Sequence, residues 1–258
     1  MKLIKTLLTI LFISLLSSPS WSETMDDLVN RGGLYYKQLT DVPFTGKVTG
    51  REQGSFKNGV KDGTWVGYHK NGQLSEKSNF KNGKLEGALV RYYKNGQLER
   101  NGNYKNGKID GAWIRYYENG QLWYKENYRN NKAKGAWVTY YENGQLERKF
   151  NYKNGKREGA SVSYYENGQL WYKENYKNGK LEGALVRYYD NGELILKGNF
   201  KNGKAEGATI FYFKNGQLGH KGNYKNGSRE GAWVGYEENG TVQKRLTGTF
   251  KDGVKISD

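Results

Sequence analysis

The chain has 258 residues, 42 Lys and Arg against 26 Asp and Glu, two His and no Cys, for a formal charge of +16. Without cysteine there are no disulfide staples and no lipid-bearing thiol. Low apolar content and high charge would permit disorder, but 22 Tyr, 9 Phe and 7 Trp recur largely in phase, as only a chain with a core requires.

Residues 1–22 read as a secretory signal peptide. Lys2 and Lys5 precede an apolar run from Leu7 to Leu16, and Ser20-Trp21-Ser22 supplies small residues at a cleavage position after about Ser22. The run is too short to span a bilayer. Loss of Lys2 and Lys5 lowers the formal charge from +16 to +14. The expected address is periplasmic or secreted.

Residues 23–53 lie outside the period that follows and are expected to cap the N-terminal end. From 54 to 247 the sequence repeats every 24 residues, with Gly63, Gly87, Gly111, Gly135, Gly159, Gly183, Gly207 and Gly231 marking eight copies without an indel. Two strands are expected per copy, Ala112 to Glu118 and Gln121 to Tyr128, joined by a two-residue type I′ turn at Asn119-Gly120. Asn106-Gly107 turns the chain back. The result is an all-β fold: an elongated solenoid of antiparallel hairpins in one twisted sheet, with about sixteen or seventeen strands at ~4.8 Å spacing. Asn131 stands where other copies have the turn glycine, and Asn tolerates positive φ well enough to preserve the turn. Residues 248–258 are expected to form a terminal strand and tail.

Alternation divides each strand into two faces. The Ala112, Ile114 and Tyr116 positions hardly vary between copies and are expected to pack inward. Columns headed by Phe56 and Leu74 would extend that seam. The Trp113 and Arg115 positions drift, so Trp113, Arg115, Tyr117, Trp123, Trp137, Tyr141 and Trp171 are expected to lie on a free face. That face would suit a protein partner, or sugar rings stacking on indoles. A half-buried, purely structural aromatic surface is the plainer reading.

Lys81, Lys105, Arg129, Lys153, Lys177 and Lys201 recur at the turns and define a basic ridge, backed by Lys84, Lys108, Lys132, Lys156, Lys180 and Lys204. Such a ridge would attract anionic surfaces such as phospholipid headgroups, lipopolysaccharide or acidic polysaccharide; its structural alternative is solubility and edge protection. An exported address disfavours nucleic acid. The acidic column Asp62, Glu86, Asp110, Glu158, Glu182, Glu206 and Glu230 has neighbours ~10 Å apart, too far for a glycosidase pair. It reads as turn or cross-strand partners. His69 and His220 stand in different columns, which argues against a His-based triad or metal cluster. No catalytic group, metal or cofactor is expected.

The stretch Tyr176 to Tyr189, Tyr-Lys-Asn-Gly-Lys-Leu-Glu-Gly-Ala-Leu-Val-Arg-Tyr-Tyr, resembles the MORN repeat in its bacterial variant form. The resemblance runs over roughly residues 54 to 253. It implies an elongated β solenoid used for binding or scaffolding, with protein interaction, dimerisation and phospholipid contact among the family's roles. Some bacterial variants carry an antitoxin label, but a signal peptide would place this chain away from an intracellular toxin.

Overall fold

The computed structural model describes residues 22–258. The signal-peptide reading therefore lies, except for Ser22, outside the described residues. From Gly46 onward the chain is one long meander in which each strand pairs antiparallel with the next. It forms a 24-stranded sheet that also takes in Glu23–Thr24, parallel to Gly46–Thr49. There is no α-helix among the described residues, only a 3₁₀ turn at Met25–Asp27. The strand count exceeds the expected number for two reasons. Hairpins at both ends join the sheet, and in later copies the first strand is interrupted, as between Lys132–Ala133 and Gly135–Tyr140.

The two Asn-Gly turns exchange the roles expected of them. At Asn106-Gly107 both residues have positive φ (50° and 74°) between the paired Lys105 and Lys108, which is the two-residue type I′ turn. Asn130 and Asn131 make the same turn with φ of 50° and 62°, so the missing glycine is tolerated as expected. At Asn119-Gly120 only Gly120 has positive φ, 87°. There Gly120 N–H donates to Tyr117 O (2.9 Å) and Tyr117 N–H donates to Gln121 O (2.8 Å). These bonds enclose a three-residue loop, a type I turn closed by a glycine bulge. A further bulge leaves Trp123 unpaired between Leu122, opposite Tyr116, and Tyr124, opposite Arg115.

Each turn type stacks on its copy in the next repeat. Gly107 N–H donates to Leu85 O (2.8 Å), and equivalent bonds run from Gly179 to Arg157 and from Gly203 to Leu181. The acidic column completes this stack. Glu86 accepts from Asn106 N–H (2.7 Å), Glu158 from Asn178 (2.7 Å) and Glu206 from Asn226 (2.8 Å). At the opposite edge Asn119 Oδ1 accepts from Gln121 N–H (2.9 Å) while its Nδ2 donates to Glu142 O (3.2 Å) of the next loop. A tyrosine ladder runs alongside: Tyr93, Tyr117, Tyr141, Tyr165 and Tyr189 each donate a hydroxyl to a main-chain carbonyl in the following copy. Recurrent polar residues thus satisfy backbone groups that turns would otherwise leave unpaired.

The packed face is the drifting one, which corrects the expected assignment. Register places Ala112 opposite Asn127 and Ile114 opposite Lys125, so the uniform face is polar on alternate strands. Trp113, Gly102 and Glu126 share the other side. On that side Trp65, Leu89, Trp113, Leu185 and Trp233 are buried, whereas Ala88, Ala136, Ala160, Ala184, Ala208 and Ala232 are exposed. The Phe56 column belongs with the tryptophans: Trp65 lies between Phe56 and Phe80, with ring centroids 5.0 and 6.3 Å away. The Leu122 position remains half-buried beside Tyr116 on the other face.

Drift on the packed face follows from complementary sizes on neighbouring strands. The indoles of Trp65, Trp113 and Trp233 lie over Gly54, Gly102 and Gly222, where any Cβ would strike the ring. Where Ser161 leaves room, Glu174 and Phe150 are buried nearby. Close packing needs each layer filled once, by whichever strand supplies the bulk. The ends are closed likewise: Phe44, Val48, Phe56 and Trp65 form a cluster covered by Met25, Leu28 and Tyr35, and Phe250 of the last hairpin packs near Trp233.

Candidate binding faces

The aromatic residues expected to bind a partner do share a side, but most are engaged in packing. Trp113 sits edge-on to Tyr104 at 5.7 Å. Trp137 touches Tyr128, Phe150 and Tyr152, and its indole N–H donates to Asn127 O (3.3 Å). Arg115 is held between Glu99 (3.3 Å) and the ring of Trp123 (4.7 Å), and Tyr117 stacks on that ring at 5.2 Å. Tyr141 donates its hydroxyl to Tyr164 O (2.8 Å). Trp171 alone among the seven is exposed, leaning on Tyr165 and Tyr172.

The basic ridge lies on the opposite, uniform side. Lys81, Lys105, Arg129, Lys153, Lys177 and Lys201 are all exposed. Each faces another cation directly across the type I′ turn: Lys84, Lys108, Lys132, Lys156, Lys180 and Lys204. Like charges directly opposite are unfavourable. No ridge side chain forms an ion pair among the described residues. The capping carboxylates sit at this edge too, with an oxygen committed to a turn N–H.

A second basic row, which the sequence reading did not single out, extends the ridge into a face. Lys77, Lys125, Lys149, Lys173, Lys197 and Lys221 pair with the Val66, Ile114, Val138, Val162, Val186 and Ile210 positions and are exposed. The asparagine column lies between the rows, with Asn103, Asn151, Asn175, Asn199 and Asn223 exposed. The signal in the sequence is the i, i+2 spacing of Lys149, Asn151 and Lys153, masked by the uniform Ala, Val and Tyr positions on the same face, which read as packed inward. Outside the capping column, Glu76, Glu126 and Glu174 fall on the other side, facing Arg91, Trp113 and Ser161. Alternation therefore sorts the charge, and Lys, Asn, Ala and Val share the solvent face. Toward the C-terminal end Ala208, Ile210, Ala232 and Val234, with Lys197 and Lys221, border a shallow trough of about 600 Å³.

The histidines stay apart. His69 takes a place in the tyrosine ladder, with Nε2 2.8 Å from Tyr92 O, while His220 stacks on Phe211 at 5.0 Å. Burial, with the nearby Arg229 charge, holds His220 below the usual imidazole pKa. Among the described residues no group of His, Cys, Asp or Glu could hold a metal ion, and no helix is long and apolar enough to cross a membrane.

These features define an all-β repeat protein with one packed face and one basic, solvent-facing side. The sequence pattern of the MORN repeat variant matches residues 61–82, 85–106, 109–130, 134–154, 157–178, 181–202 and 205–226, together more than half the chain. The chain belongs to the MORN repeat variant family, with seven matched repeats over 61–226. Repeats of this kind suggest a binding or scaffold role and are generally non-catalytic. No curated protein matches. A solved structure described as "Crystal Structure of TcdB2-TccC3-Cdc42" aligns at 15% identity with a TM-score of 0.16, covering 72% of this chain and 14% of that one. At that score the likeness carries no argument.

Proposed function

We propose that the uniform lysine face is a docking surface for an anionic envelope component, with phospholipid headgroups or lipopolysaccharide as the chemical class, in an exported, non-enzymatic protein. The observation that carries this reading is the run of unpaired cations facing one another across successive type I′ turns. Each such pair costs folding energy, and an anionic ligand that bridges both members reverses the sign. Repeats advance by ~10 Å, near the ~8 Å Debye length at physiological salt, so binding should weaken as salt rises.

Co-sedimentation with phosphatidylglycerol-containing and purely zwitterionic vesicles, at low and high salt, tests the proposal. The full chain should pellet with anionic vesicles at low salt. Lys153→Glu/Lys156→Glu/Lys177→Glu/Lys180→Glu should weaken this at least tenfold, while Lys70→Glu/Lys94→Glu in the opposite loops should have a smaller effect. Equal binding to both vesicle types would sink the reading. N-terminal sequencing of the protein recovered from cell fractions tests the exported address.

A further inference from the structure

The packed face opens in the first repeat. In the third repeat Arg115 and Trp123 lie against each other, with the guanidinium 4.7 Å from the indole centroid. The equivalent positions 48 residues earlier hold Gly67 and Ser75. A Cβ on Gly67 would approach only Ser75 Oγ (3.1 Å) and Glu76 Cβ (4.0 Å), and Gly67 lacks the positive φ that would strain a side chain. The later glycines in these columns open no such space. A Cβ on Gly235 would meet Leu246 at 2.4 Å, and one on Gly219 would meet Phe211 at 2.4 Å. Small residues at 67 and 75 therefore leave a cavity of about 620 Å³ between the first repeat and the segments at Thr24–Asp26 and Thr49–Glu52, with Trp65 in its lining.

Its charged lining is balanced. Arg51, Lys61 and Arg91 supply cations, while Asp26, Glu52 and Glu76 supply anions. Two of the opposite-charge contacts are already closed, Lys61 to Glu52 at 3.3 Å and Arg91 to Glu76. Paired in this way, the groups present spare N–H donors and carboxylate lone pairs without a strong net field. A phosphate or other anion would meet as much repulsion as attraction. A neutral ligand dense in hydroxyls can use both kinds of edge, and the volume lies within the range of small-molecule sites.

We propose that this cavity is a binding site for a neutral mono- or disaccharide. It is separate from the lysine face and does not depend on it. Binding to a glycan array, followed by calorimetric titration of the retained sugar, should show saturable binding to the full chain. Gly67→Arg/Ser75→Trp installs the pair the third repeat already carries; it should lower affinity at least tenfold while circular dichroism and the melting temperature remain near wild type. Should this pair disturb folding, the smaller filling variant Ser75→Leu is to be read in its place, with the same expected loss. The quadruple lysine-to-glutamate variant should bind the sugar as wild type does. No retained glycan, or unchanged affinity in a folded filled variant, would overturn the proposal. So would saturable binding of inorganic phosphate or glycine betaine in the cavity with no glycan retained.

Discussion

The two faces of the sheet are built by the same strands with the same period, yet one varies between repeats and the other hardly does. The varying face is the core. Its central layer runs through Gly102, Trp113, Glu126, Trp137, Phe150 and Ser161, and is filled by exchanging bulk between adjacent strands. The uniform face carries Lys, Asn, Ala and Val to solvent. Uniformity here reports a surface presented identically by each repeat, whereas drift reports a core solved locally each time.

The largest expected effect comes from emptying the core. Trp113→Ala should cost about 3–5 kcal/mol, because a buried indole is removed from a rigid layer. Ala136→Ser, in the next repeat and exposed to solvent on the other face, should stay within about 0.5 kcal/mol. Urea unfolding measures both, and equal losses would reverse the assignment of faces.

The size exchange gives a sharper test. A Cβ at Gly102 would lie 2.0 Å from the Trp113 ring, so Gly102→Ala should cost about 1–3 kcal/mol through overpacking. Combined with Trp113→Leu, the penalty should be smaller than the sum, with a coupling of about 0.5–3 kcal/mol. Strict additivity in a double-mutant cycle would mean that the two positions do not share a layer.

This exchange also explains what the sequence made legible. The period, the all-β hairpin plan and the tolerance of Asn131 could be read from turn chemistry. Facing could not be read from alternation alone, which names two faces without saying which is inside. A decisive signal was present in the chain: Gly54 with Trp65, Gly102 with Trp113 and Gly222 with Trp233 stand eleven residues apart, each pairing the smallest residue with the largest. The distinction between the two Asn-Gly turns was less accessible, because the same dipeptide serves a two-residue turn at Asn106-Gly107 and closes a three-residue loop at Asn119-Gly120. The first-repeat cavity is visible in sequence only as small residues at 67 and 75, and its walls come from the N-terminal segments.

Intermediate effects should come from the ladders that join repeats. Tyr141→Phe removes the donor to Tyr164 O and should cost about 1 kcal/mol by urea unfolding. Phe213 already occupies the corresponding place in another copy, so the ring should remain seated. On the lysine face the sign should reverse. Lys156→Glu replaces a cation facing Lys153 with an opposite charge, and should raise stability by about 0.2–1 kcal/mol while weakening vesicle binding. A core position offers no such trade.

The smallest effect concerns two carboxylates that occupy the same column of the packed face. Glu174 has Arg157 at 3.7 Å, whereas the position equivalent to Arg157 beside Glu126 is Ile109. Burial raises the Glu126 pKa above the usual carboxylate value, although the Tyr128 hydroxyl donates to it at 2.8 Å and opposes the shift. The folded chain therefore holds this proton more tightly than the unfolded chain. Its contribution to stability is present below the unfolded pKa of about 4.3 and is lost as pH rises through the higher folded value. Glu126→Gln should remove that part of the slope when urea midpoints are compared across the carboxylate range. Ile109→Arg should remove it by another route, placing a guanidinium where Arg157 stands beside Glu174 and drawing the Glu126 pKa down. If both variants keep the wild-type slope, another group is responsible for it.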